Sequence, residues 1–133
     1  MTKFNPDFND TKALAELFGE EAKRVAGLLN DGGFSPDIST TQFRQFYEKI
    51  LELNDKAQGL DEEKDEEKDN FDVKILPFVK LLNSKVQYSK SRRHCGENFE
   101  QMMEKSIKVV NSEEELRNFK YFLEAIIGYM PKK

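Results

Sequence analysis

Apolar residues recur at steps of three and four along almost the whole chain, and no stretch alternates with the period of two that a half-buried strand needs. A chain patterned this way buries one stripe per helix, so it must pack helix against helix. Leu14, Leu17, Phe18, Val25, Leu28 and Leu29 predict a helix over about 11–30, capped by Asp10 or Thr11 and stopped by Asp31-Gly32-Gly33. Ser39 is followed three residues later by Gln42, the pattern of a capping box. From there Phe43, Phe46, Tyr47, Ile50, Leu53 and Ala57 line a second helix that ends near Gly59. Phe71, Ile75, Leu76, Val79, Leu82 and Val86 keep the period, but Pro77 is tolerated only in a first turn. The expectation is a short turn near 70–75 and then a helix over about 76–91. A fourth helix over about 97–110 turns Phe99, Met102, Met103, Ile107 and Val110 inward. A fifth starts at a second capping box, Ser112 to Glu115, and carries Leu116, Phe119, Phe122, Leu123, Ile126, Ile127 and Met130 before Pro131.

The expected fold is therefore all-α, a compact bundle of about five helices. The 133 residues make a single domain, with 1–38 a variable N-terminal helix and loop and 59–70 an acidic mobile loop. A chain of this length buries about two-thirds of its unfolded surface and needs no staples. No repeat of fixed period is present, which argues against a solenoid.

Composition removes most chemistry. There is one His and one Cys, at His94 and Cys95. A zinc site would have to be completed by carboxylates. No intramolecular disulfide can form, which points to a reducing compartment. Adjacent side chains point in different directions and rarely serve as nucleophile and base for each other, so His94 reads as a helix end and Cys95 as the start of a loop. There is no glycine-rich phosphate loop and no His-Glu-x-x-His. The acids at Glu20-Glu21 and Glu113 to Glu115 read as solvated surface or first-turn acids that favour the helix dipole. The expectation is a protein without catalytic residues, metal or cofactor. The start, Met1 to Pro6, lacks the basic and apolar regions of a signal peptide. No apolar run nears the roughly 18 residues of a membrane span, so a cytoplasmic protein with no membrane partner is expected.

The net charge of −4 is unevenly spread. Asp61 to Asp69 holds seven acids and two lysines and contributes −5, so the remainder carries +1. This run reads as a solvated loop, or as a mimic of a polyanion that competes for the basic stretch beyond it. From Val73 to Gly96 there is no acid and there are six bases: Lys74, Lys80, Lys85, Lys90, Arg92 and Arg93. On a helix Lys85, Ser89 and Arg92 share a face that Tyr88 borders. Gln87, Ser89 and Ser91 add short polar groups suited to phosphate and sugar oxygens. The competing reading pairs these bases with Glu97, Glu100 or the acidic run. Exposed pairs contribute only about 0–1 kcal/mol, a weak reason to keep a helix free of acids. A protein–protein module would instead dock this helix on an acidic partner, or on the acidic loop of a neighbouring copy, and touch no nucleic acid.

Three segments together resemble the small subunit of the type III-A CRISPR effector (Csm) complex. Ser39-Thr40-Thr41-Gln42-Phe43-Arg44-Gln45-Phe46 is similar to that family's Ser/Thr-x-Gln-x-Arg-x-Phe helix start. Leu81-Leu82, Lys85, Tyr88 and Arg92 follow its Leu-Leu-x-x-Lys-x-x-Tyr-x-x-x-Arg. Phe119-x-x-Phe122-x-Glu124-Ala125-x-x-x-Tyr129 resembles its C-terminal motif. The resemblance covers about Thr41 to Met130, leaving the first helix and the acidic insertion as elaborations. It implies a non-catalytic, antiviral helical protein that stacks as further copies of itself. Such copies lie beside the backbone and large subunits and touch the backbone of guide RNA and target RNA. Carried over by position, Arg44, Lys85 and Arg92 are the expected RNA contacts. Lys49, Lys90 and Arg93 join them on charge and helical phase, while Tyr88, Phe119, Phe122 and Tyr129 are expected to pack helices together.

Overall fold

The computed structural model describes residues 4–30, 37–60 and 67–130, without the side chains of residues 60 and 67–69. The stop at Asp31-Gly32-Gly33 and residues 61–66 of the acidic run lie outside them. The expected five helices are all present. Helix α1 spans 14–30, in which Leu14–Glu16 and Ala22–Asn30 are joined by a π-helical turn at Leu17–Glu21. Helix α2 is Thr40–Leu60, α4 is Leu76–Ser91, α5 is Glu97–Val109 and α6 is Glu113–Tyr129. Between α2 and α4, where an acidic loop over 59–70 and a turn near 70–75 were expected, the chain forms the short helix α3, Glu67–Lys74, so the helices take in both ends of that loop. Helix α1 begins three residues later than its apolar pattern suggests, because Asp10 instead closes a turn, accepting the backbone N–H of Lys12 at 3.0 Å.

The local signals act as their chemistry requires. Ser39 Oγ accepts the Gln42 N–H at 3.1 Å ahead of α2. Ser112 Oγ accepts the Glu115 N–H at 3.1 Å, and Glu115 reaches back to the Asn111 N–H at 3.0 Å, so both ends of that box are closed. Pro77 sits in the first turn of α4, where its missing N–H has no partner to lose.

Helix α6 is the spine. Helices α1 and α2 pack on it, while α4 and α5 pack on each other. Phe99 of α5 meets Phe43 and Phe46 of α2 at ring separations of 5.7 and 5.2 Å, which ties the two groups into one core. Two further core residues had no helical signal. Phe4 stacks on Phe122 at 5.7 Å, and Phe8 packs against Phe119 at 5.4 Å. Asn118 Nδ2 donates to the Phe8 carbonyl at 2.8 Å and holds this N-terminal strap down.

A second long-range tie closes the far end. Asp37 accepts the backbone N–H groups of Asn98 and Phe99 at 3.1 and 2.6 Å, which places a carboxylate on the N-terminus of α5. Ile38 and Cys95 form a single antiparallel bridge beside it. A Cβ on Gly96 would run into the Asp37 carboxylate, so this close approach requires glycine.

Candidate nucleic-acid interface

Helix α4 supplies the site. Val79, Leu82 and Val86 bury one line of it, and no acid occurs between Leu76 and Ser91. A second line, displaced from the buried one, runs through Phe78, Leu81, Lys85, Tyr88 and Arg92 at steps of three and four residues. All five are exposed: Phe78 by 52%, Leu81 by 51% and Tyr88 by 62%, with Lys85 and Arg92 among them. The Arg92 guanidinium lies over the Tyr88 ring, 5.7 Å from its centroid.

The end of α4 aims the arginines. The Arg93 N–H donates to Lys90 O at 2.9 Å and the His94 N–H to Ser89 O at 2.8 Å, the paired bonds of a Schellman closure. That closure needs a left-handed residue, usually glycine, and Arg93 fills it at φ 62°.

The six expected contacts, all exposed, separate into neighbourhoods. Lys49 and Lys85 come together across the groove between α2 and α4, a recess of about 140 Å³ that Gln42, Gln45 and Ser89 also line. Arg92 stands with Tyr88. Lys90 and Arg93 line a recess at the end of α4 beside Asp37 and His94. Arg44 lies elsewhere on α2, close enough for its charge to act on the Tyr47 phenol. Lys90 is engaged by Glu100 at 2.8 Å, and that hydrogen bond raises its pKa. No ion pair among the described residues involves Arg44, Lys49, Lys85, Arg92 or Arg93. Of the six bases between Val73 and Gly96, Lys80 is not part of the ridge. Its Nζ donates to the carbonyls of Ile107, Lys108 and Val110 at 2.7, 3.2 and 2.8 Å and caps the end of α5. Burial lowers its pKa, against a smaller upward pull from Glu115.

Two aromatic residues differ from expectation. Phe119 and Phe122 are fully buried, but Tyr88 and the 51% exposed Tyr129 stand on the surface rather than between helices. Phe78 and Leu81 were missed as surface groups, although their phase with Lys85 and Arg92 was readable. Glu124, in the third motif, accepts the Tyr47 hydroxyl at 2.7 Å and so joins α2 to α6. His94 is exposed, whereas Cys95 is buried and its thiol is pushed up to about 11 by burial and by Asp37 and Glu100. It is not a thiolate at neutral pH. Among the described residues no three His, Cys, Asp or Glu side chains are grouped to hold a metal, and no helix is long and apolar enough to cross a membrane.

A family model described as Csm2 Type III-A matches residues 12–130. The match takes in α1 and the acidic run, both of which the motif resemblance had left out. No curated protein and no solved structure matches the chain.

Proposed function

The chain belongs to the Csm2 type III-A family, the non-catalytic small subunits of type III-A CRISPR effector complexes, and from that premise we propose that it clamps the phosphate backbone of guide and target RNA. The observation that carries this is the exposed cationic line on an acid-free helix, with Lys85 and Arg92 in no ion pair among the described residues. Lys49 extends it across the groove and Arg93 beyond the helix end. Lys90, held by Glu100, contributes less.

Phosphate contacts position a strand without reading its bases, so binding is nearly independent of sequence, and guide pairing supplies selectivity. One copy offers few contacts. Copies stacked in a filament beside the backbone and large subunits present the same face repeatedly, and the effective concentration of each next face raises the overall affinity. The complex works in the cytoplasm.

Lys85→Glu combined with Arg92→Glu tests this. The circular dichroism spectrum should be unchanged, because both side chains are exposed, while filter binding of RNA by the assembled complex weakens. Each lost phosphate contact should also remove about 0.7 from the log–log salt slope on single strands. Affinity equal to wild type at low salt would take these residues out of the interface.

A further inference from the structure

Phosphate binding accounts for the cations of α4 but not for the side chains between them. Phe78, Leu81 and Tyr88 expose apolar and aromatic surface on the line that carries Lys85 and Arg92. Large exposed side chains aligned on one line of a helix point to a contact site. A paired duplex would present sugars, phosphates and base edges to such a line but no base faces, because its bases are stacked inside. An unpaired strand exposes the π-face of every base, and alternating rings and cations are what such a strand binds.

We infer that α4 is a single-strand reader, on which phosphates meet Lys85 and Arg92 while unpaired bases stack on Tyr88 and lie against Phe78. This deepens the proposed RNA clamp and rests on it, naming the strand before guide and target pair, rather than the finished duplex, as the ligand of α4. The geometry supports the assignment. Tyr88 and Phe78 are ten residues apart, about 15 Å along the helix, with Lys85 between them. With Arg92 over its ring, Tyr88 as a whole residue is still 62% exposed. In the adjoining recess that Phe78 and Leu81 line, Lys49 and Lys56 add positive charge, and among the described residues its one carboxylate, Glu52, is paired with Lys56 at 3.6 Å. A groove so charged favours a polyanion over an apolar protein helix.

The test is fluorescence anisotropy of the full chain at low salt with three labelled RNAs of equal length: an unstructured single strand, the same strand without bases, and a duplex. The intact strand should bind about tenfold or more tightly than the abasic strand, and more tightly than the duplex. Tyr88→Leu, which keeps apolar area but loses the ring, should bring the intact strand close to the abasic level. Tyr88→Phe should retain wild-type affinity. Equal affinity for intact and abasic strands overturns the stacking assignment while leaving the clamp in place. Failure of the full chain to bind any of the three at chain concentrations up to about 1 mM, where even a weak single-copy phosphate site would fill, overturns both. If Tyr88→Leu binds RNA like wild type yet no longer assembles with the other subunits, the face belongs to a protein partner and the inference falls.

Discussion

Arg93 shows a conflict between stability and charge at a single position. The Schellman closure of α4 would be easiest with glycine, since a side chain in the left-handed region costs about 1 kcal/mol. Arg93→Gly should therefore stabilise the fold by about that amount, raising the melting temperature by about 3 °C, while lowering RNA affinity at low salt. A drop in melting temperature would show that the arginine side chain supports the turn. Tyr47 gives a pH signature. Burial, then its hydrogen bond to Glu124, raise its pKa to about 12. The unfolded value is about 10, so the folded state holds this proton more tightly. The tie is fully present below pH 10 and is lost as pH rises towards 12. Absorbance titration of the tyrosines should show a component near pH 12 that Tyr47→Phe deletes. The same variant should lower stability by about 1 kcal/mol.

Among the elements, the N-terminal strap is the one most open to a decisive test. Phe8 lies between Phe119 and Phe122, at 5.4 and 6.0 Å, with its carbonyl held by Asn118. Phe8→Ala should cost about 3–5 kcal/mol in urea unfolding, and a loss below 1 kcal/mol would mean that the strap sits loosely on α6. The strap was illegible in the sequence because a single irregular segment has no period to read. The helices were legible because each repeats its apolar signal over several turns, and the two capping boxes are complete within four residues. Asp37 on α5 was not, since its partners lie 61 and 62 residues away. The site divides in the same way. Lys85 and Arg92 were found from charge and phase, which are local. That Lys80 is spent on the carbonyls of α5 and Lys90 on Glu100 depends on how α4 meets α5, and a lysine in sequence looks the same in either role.

For the molecule as a whole, net charge and local charge have opposite signs. The chain carries −4, so at a distance it repels a polyanion, and attraction operates only within roughly a Debye length of about 8–10 Å from the α4 face. An encounter is productive when that face leads, which orients the subunit before any contact forms. The single connected core, from Phe4 at one terminus to Met130 at the other, holds the face on a fixed frame. Burial also silences the one native sulfhydryl. Cys95, beside its bridge to Ile38 and with its pKa at about 11, leaves the surface inert to maleimides at neutral pH. A cysteine introduced at the exposed Ser84, one residue before Lys85, would then be the sole attachment point for a dye or spin label, and the spacing between successive copies along a bound strand could be measured without altering the native thiol.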